Sequence, residues 1–354
     1  MSSIELAVAH GGSVLVLGYH PCVDVFVGAL AEARPDLRLL VLRDREHHRP
    51  TRWQALTRIF EHTIDADDNA QLMAWVGQFA PTLGCVMSWS RRLPDVVLEA
   101  FAGRLLNLHA GDLPRYRGAG GGSWQVLNDE TKISAHIQQM QAELDRGPLL
   151  LVETEALPNQ PWPRDVKAAA ARAAERSVLR LAQAIAAGDT LPLSAQDESA
   201  ALYFPRLSTA QNGWINFTWP ANAIERFIRA FSDPYPGAAF RLAGAIYRVR
   251  CASLRAPPVA LHPFCAGLIV NRTAQSLDVA THDGVLHWHN IVDEKGKVVN
   301  LSRFRAGDRC WTSDADLLAA RCFRPSQTSA LLPPDVRISG GGKVRSRRHP
   351  SVKE

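Results

Sequence analysis

Four short apolar runs, Val14–Leu17, Leu37–Leu42, Leu83–Met87 and Leu105–Leu108, are separated by stretches with helical periodicity. Runs this short, with polar residues beyond them, read as buried strands. Val23–Arg34 and Asn69–Phe79 supply helices between them. Strands that alternate with helices form βαβ units, and βαβ units build a parallel sheet. Ile133–Met140 and Leu149–Glu153 add two further strands. Asp165–Ala187 is the clearest helix, rich in Ala, Arg, Glu and Leu, with Pro163 near its start and Gly188 just past its end. The expected fold is α/β, with a Rossmann-like and mostly parallel sheet.

Beyond this region the pattern changes. Thr190–Leu207 has little periodicity and reads as a linker. Ala221–Phe231 is a helix, and Pro234-Tyr235-Pro236-Gly237 a turn. Ala239–Val249, Gly267–Val270, Ser276–Ala280 and Val285–Ile291 alternate as strands of a small antiparallel, OB-like sheet or barrel. Asp314–Arg321 fits a terminal helix, with Ser313 or Asp314 as N-cap. A chain of 354 residues is expected to hold two domains. The expected division is a catalytic domain over 1–190, a linker over 191–210, a small β-rich domain over 211–325 and a basic, disordered tail over 326–354.

Charge narrows the possible partners. The net charge is +5, but Asp335–Glu354 holds six basic and two acidic residues, so most of the excess sits in the tail. A nearly neutral body argues against broad nucleic-acid binding, which needs Lys and Arg on the folded surface to neutralise phosphates. The six cysteines show no CxxC spacing, so no zinc or redox site is expected, and scattered reduced thiols fit a cytoplasmic protein. The N-terminal stretch carries Glu5 and no basic region, unlike a signal peptide. No run approaches the roughly 20 apolar residues that cross a bilayer, so no membrane is expected.

The chemistry concentrates in Leu105–Leu150. Asn107 and His109 stand two apart at the end of an apolar strand, so they share a face. Carboxyl ends of strands in open parallel sheets are where ligands bind. Asp145 follows in a second loop, and Gly147 lets that loop turn tightly. Together these groups can move an acyl unit to an amine. A histidine with an ordinary value of about 6.5 takes the proton that the amine loses. A carboxylate orients the ring, and an Asn amide donates to the developing oxyanion. No metal is required.

Asn107-Leu108-His109, Leu113-Pro114, Tyr116-Arg117-Gly118, Met140 and Leu144-Asp145-x-Gly147 resemble, in order and spacing, the folate-dependent formyltransferase family. That family includes methionyl-tRNA, glycinamide ribonucleotide and amino-sugar formyltransferases. Trp214–Phe217, the helix at 221–231 and Pro234–Ala238 are similar to the C-terminal domain of some members. The resemblance implies N10-formyltetrahydrofolate as formyl donor. It implies Asn107 as oxyanion donor, His109 as base and Asp145 as the residue that orders His109 and a water. The pteridine would lie on the loop Met87–Pro94, with Met87, Ser88, Trp89, Leu93, Pro94 and Met140 as contacts. Asp112, Pro114, Tyr116, Arg117 and Gly118 would face the acceptor.

This chain departs from the family's usual Ser-Leu-Leu-Pro after the histidine, with Gly111-Asp112-Leu113-Pro114 instead. Asp112 either binds the acceptor amine as an ammonium or caps a turn. The glycines at 120–122 either admit an acceptor phosphate or give spacing before a helix. The basic, Gly- and Lys-rich loop of the tRNA enzymes is replaced by LRDREHHRPTRWQ, which has no lysine. The expectation is therefore a small amine acceptor such as a nucleotide-linked amino sugar. Methionyl-tRNA, formyltetrahydrofolate hydrolysis and formimidoyl-type transfer are the alternatives, and a second copy of the chain is a candidate partner. His287 and His289 share a strand face without a third ligand at matching spacing.

Overall fold

Apolar runs that can be buried on both faces account for the central sheet. The structure is a computed structural model that describes residues 2–47, 58–89, 91–119, 121–255 and 260–323. Its first elements are β1 (Ser3–Glu5), β2 (Ser13–Gly18), α1 (Cys22–Ala33), β3 (Arg38–Asp44), β4 (Ile59–Ile64), α2 (Asn69–Phe79) and β5 (Leu83–Met87). Then come α3 (Asp95–Ala100), β6 (Leu105–His109), β7 (Arg117–Gly118), α4 (Ser123–Leu127), β8 (Lys132–Gln139), β9 (Leu149–Ala156), α5 (Pro163–Ala187), β10 (Thr190–Pro192) and β11 (Tyr203–Phe204).

The chain divides into two compact units. The first comprises Met1–Gly118, Lys132–Ala156 and Ala168–Phe204. Its seven-stranded sheet has the order β4-β3-β2-β5-β6-β8-β9. The first five strands are parallel; β8 pairs antiparallel with β6, and β9 antiparallel with β8, so only β8 is reversed. Every residue of β2 and of β5 is buried, as a central strand covered on both faces requires. One face, with Val14, Val16, Cys85 and Leu106, packs with Val23, Phe26 and Leu30 of α1 and with Ala173, Val178 and Leu181 of α5. The other, with Leu15, Leu17, Val86 and Leu105, packs with Leu72 and Val76 of α2 and with Val97 of α3. On this second face Leu105 of β6 gives way to Asn107 and His109 at its carboxyl end.

Thr190–Leu207, expected as a linker, is ordered by pairing within this unit. Strand β10 pairs antiparallel with β1, and β11 pairs parallel with β7. These pairings join residues far apart in the chain, so local periodicity carries no trace of them.

The second unit comprises Ala119–Thr131, Leu157–Lys167 and the chain from Pro205. Its later elements are α6 (Thr209–Asn212), α7 (Ala221–Ala230), β12 (Ala238–Leu242), β13 (Ala245–Leu254), β14 (Ile269–Arg272), β15 (Ser276–Ala280), β16 (Val285–Asp293) and α8 (Asp314–Cys322). The five strands form an antiparallel sheet in the order β12-β13-β16-β15-β14. What reads in sequence as one strand over Ala239–Val249 is a hairpin, turned at Ala243 and Gly244 with φ of 49° and 78°. Bridges from Trp311 to Arg241 and from Arg309 to Leu268 link the two edges of the sheet. That closure gives the OB-like form and leaves little free edge. Trp288, Phe231, Phe240 and Phe304 are fully buried inside. Of the two candidate caps for α8, Ser313 takes the role: its hydroxyl accepts from the Asp316 amide. The tail expected to be disordered lies outside the described residues, as do His48 and Gly120.

Phe26 has no exposed surface and sits between α1 and β2 in the larger core. Phe26→Ala is expected to destabilise the first unit by about 3–5 kcal/mol through lost burial and an unfilled cavity. Denaturant unfolding followed by circular dichroism checks this.

Candidate active site

Antiparallel pairing of β6 with β8 sets Asn107 opposite Gln138 and His109 opposite His136. Directly opposed residues share a face, so four polar side chains form one patch beside Leu105. Asp145 reaches this patch from the loop between β8 and β9. Its backbone is left-handed, with φ of 56°. Its carboxylate accepts from the Gly118 amide at 2.8 Å and from Gln138 Nε2 at 3.0 Å.

Two glycines make these approaches possible. Gly118 has φ of 89°, and a Cβ there would lie 2.3 Å from the Tyr203 ring. Gly147 packs so closely on β8 that a Cβ would lie 1.7 Å from the Gln139 carbonyl oxygen.

The tautomer of His109 follows from its neighbours. Its Nε2 lies 2.7 Å from the Tyr116 carbonyl oxygen, which can only accept, so Nε2 carries the hydrogen. Nδ1 is then the basic nitrogen, and it faces Asp145 Oδ1 at 3.5 Å, beyond ordinary hydrogen-bond length. A proton arriving on Nδ1 would point an N–H at a carboxylate.

Beside Asn107 and Asp145 opens a cavity of about 110 Å³. Val86, Trp89, Leu93, Leu98 and Met140 give it apolar walls, and Asn107, Gln138, Gln139 and Asp145 give it polar ones. Trp89 Nε1 is buried without a hydrogen-bond partner among the described residues. An unpartnered buried donor in an otherwise apolar wall fits a flat heteroaromatic ring that carries acceptors. Of the residues expected to contact the folate, Trp89, Leu93 and Met140 line the cavity. Met87, Ser88 and Pro94 are not among its lining residues; the Met87 side chain belongs to the core on the opposite face.

The expected acceptor-facing residues divide in the same way. Asp112 is partly exposed, and the nearby His136 ring, with Arg115 and Lys132, keeps its carboxyl below the ordinary range. The His136–Asp112 gap of 3.9 Å is beyond hydrogen-bond length, and His136 Nε2 accepts from the Leu113 amide at 3.3 Å. The Pro114 carbonyl accepts from the Leu202 amide, tying the loop to the start of β11. Tyr116 and Arg117 are buried, not open to solvent. The Tyr116 ring stacks on Phe204 with centroids 4.9 Å apart. Arg117 spends its guanidinium on Gln196 and Glu198. Arg117 and Arg146 together hold the Glu198 carboxyl down to about 2. Gly118 acts through its amide on Asp145.

Sequence reasoning passed over Gln138, His136, Gln196 and Tyr203. Strand parity was a usable signal for Gln138 and His136, since both alternate with the buried Ala135 and Ile137. Gln196 and Tyr203 lie in an aperiodic stretch and had none. Elsewhere, His287 Nδ1 is 2.7 Å from Asp278 Oδ1. Among the described residues no group of three or more His, Cys, Asp or Glu is placed to hold a metal, and no helix is long and apolar enough to cross a membrane.

An open α/β sheet with a polar cluster at its carboxyl end, followed by a small β-rich unit, defines a two-part group-transfer enzyme once known proteins are set beside it. Residues 43–179 match the formyl transferase family, and residues 208–309 match the formyl transferase C-terminal domain. The methionyl-tRNA formyltransferase of Trichlorobacter lovleyi is 30% identical over 234 residues, covering 64% of this chain and 69% of that protein. That of Heliobacterium modesticaldum is 30% identical, covering 64% and 72%. In structure, the chain resembles an N-formyltransferase from Helicobacter canadensis in complex with folinic acid and dTDP-3-aminofucose. There the TM-score is 0.55 at 15% identity, covering 78% of this chain and 98% of that one. HypX from Aquifex aeolicus in complex with tetrahydrofolic acid gives 0.53 at 16% identity, covering 79% and 44%. The chain belongs to the formyltransferase family and is a folate-dependent N-formyltransferase.

Glu198 provides a pH test. Its lowered value means that its ion pairs contribute stability above the ordinary glutamate value of 4.5, and that this contribution is lost as pH falls through about 2. Glu198→Gln should therefore lower the melting temperature at neutral pH. The difference from wild type should shrink as pH falls from 4.5 towards 2. Thermal melts across that range measure it.

Proposed function

We propose that this enzyme transfers the formyl group of N10-formyltetrahydrofolate to the primary amine of a small acceptor, with Asn107, His109 and Asp145 as its reacting groups. The observation that carries the reading is that Asn107 and Asp145 line one cavity and His109 faces Asp145 at 3.5 Å, although Asp145 lies on a different strand connection. When bound, the formyl-folate supplies the one-carbon unit. Asn107 lines the cavity and can donate its amide hydrogens to an oxygen that gains charge there. His109 Nδ1 takes the proton that the amine loses as its bond to the formyl carbon forms, and that proton passes to folate N10 as the bond between N10 and the formyl carbon breaks, leaving tetrahydrofolate. The imidazolium so formed faces Asp145, whose charge is held in place by Gly118 and Gln138. Tyr116 keeps the other ring nitrogen protonated, so the base always presents the same atom.

A small acceptor is favoured by the near-neutral body of the chain. Methionyl-tRNA is the second reading, favoured by the curated relatives of the chain. Incubating the enzyme with N10-formyltetrahydrofolate and, separately, nucleotide-linked amino sugars, simple amines and methionyl-tRNA distinguishes the two through tetrahydrofolate release. Turnover with methionyl-tRNA alone would remove the small-acceptor reading. Formate release that no amine accelerates would replace it with hydrolysis.

His109→Ala and Asp145→Asn should each lower turnover by at least about 1000-fold with the fold intact. Asn107→Ala should cost about 100–1000-fold, the usual loss for one oxyanion donor. Near-wild-type turnover in either of the first two variants would overturn the mechanism.

A further inference from the structure

The segment after α5 meets the catalytic loops at Gln196. Its Nε2 donates to the Asp145 carbonyl at 2.8 Å and to the Gly147 carbonyl at 2.7 Å. Both amide hydrogens are thus spent on the two peptides that bracket Arg146, and a longer contact of 3.4 Å reaches Gln138 Oε1. Its Oε1 accepts from Arg117 Nε at 3.2 Å and from Arg117 Nη2 at 2.9 Å. Donors on one side and carbonyls on the other leave one orientation for the amide. Arg117 is in turn gripped by Glu198, at 3.0 Å and 2.6 Å. A buried fork paired in this way is rigid and directional. The residue after Arg117 is Gly118, whose amide holds the Asp145 carboxylate. The segment therefore reaches Asp145 by two routes, through its backbone carbonyl and through its carboxylate.

Asp145 needs such restraint. A non-glycine residue in the left-handed region costs on the order of 1–2 kcal/mol and persists only when its surroundings hold it. Without its carbonyl contact the loop can relax, and the 3.5 Å approach of Asp145 to His109 goes with it.

We propose that Gln196 is a positioning residue for formyl transfer, setting the Asp145 loop against His109, with Arg117 and Glu198 holding Gln196 itself. This rests on the role given to Asp145 above. Gln196 does not line the cavity, so its loss should leave folate binding alone and slow the chemical step.

The full-length chain, Gln196→Leu, Glu198→Gln and Asp145→Asn are compared. Turnover of N10-formyltetrahydrofolate is followed as tetrahydrofolate formed with an accepted amine, or as formate released without one. Folinic acid binding, read from tryptophan fluorescence, is the second measurement. Gln196→Leu should lose about 10–100-fold in kcat, the scale expected when a reacting group shifts by about an ångström, with Kd for folinic acid within about threefold. Glu198→Gln keeps the hydrogen-bonding shape and loses the charge, and should lose about 2–5-fold in kcat with unchanged folinic acid binding. The proposal is overturned if both variants keep wild-type kcat, or if kcat and folinic acid binding fall together, which marks a general structural role. If Asp145→Asn itself retains full turnover, the reading of the reaction fails, and this result is separate from the outcome for Gln196.

Discussion

The hydrogen bond from the Gly118 amide to the Asp145 carboxylate is the constraint around which the first unit closes. A nearly buried carboxylate must be satisfied on every side or it destabilises the fold. Asp145 meets this demand with one backbone amide and one glutamine side chain, and the His109 ring lies beside it at 3.5 Å. Each partner comes from a different element: the short strand β7, the antiparallel strand β8 and the end of β6. Satisfying one charge therefore fixes three segments relative to one another. The left-handed turns at Asp145 and Gly118 are the local distortions that this arrangement requires.

The sheet supplies rigidity on one face and chemistry on the other. The leucines and valines of β2, β5 and β6 pack on helices on both sides. At the carboxyl end of β6 the α2/α3 face turns polar, where Asn107 and His109 follow Leu105. The switch from parallel to antiparallel pairing at β8 matters here. It places Gln138 and His136 squarely opposite Asn107 and His109, so a second row of polar groups lies on the same face. Such groups on strands are held more firmly than groups on loops, and this suits a reaction whose proton transfer tolerates little displacement.

The groups proposed as base, oxyanion donor and carboxylate are His109, Asn107 and Asp145. The backbone takes a large share of the work. The Tyr116 carbonyl sets the tautomer of His109, the Gly118 amide holds Asp145, and the Asp145 and Gly147 carbonyls receive Gln196. Residues such as Tyr116 and Arg117 look in sequence like loop residues open to an acceptor. In the structure both are buried, Tyr116 against Phe204 and Arg117 paired with Gln196 and Glu198.

Short apolar runs and their spacing determined the α/β class, the main strands of the central sheet other than β4, the antiparallel second region and the Asn-x-His and Asp-x-Gly motifs. These are local signals, because burial on two faces and strand parity are written in neighbouring residues. The chain around Thr190–Leu207 shows the limit of such signals. It reads as a linker, yet Gln196, Glu198 and Tyr203 stand at the catalytic loops because β11 pairs with β7. A contact between residues roughly 80 positions apart leaves no periodicity in either partner. The hairpin hidden in Ala239–Val249 was missed for a different reason: alanine at a left-handed position carries no turn signature. Which residues could carry the chemistry was thus set by local sequence. Their distances, the tautomer of His109 and the burial of Arg117 were decided only by the tertiary structure, since hydrogen-bond partners are chosen by the pairing of distant segments.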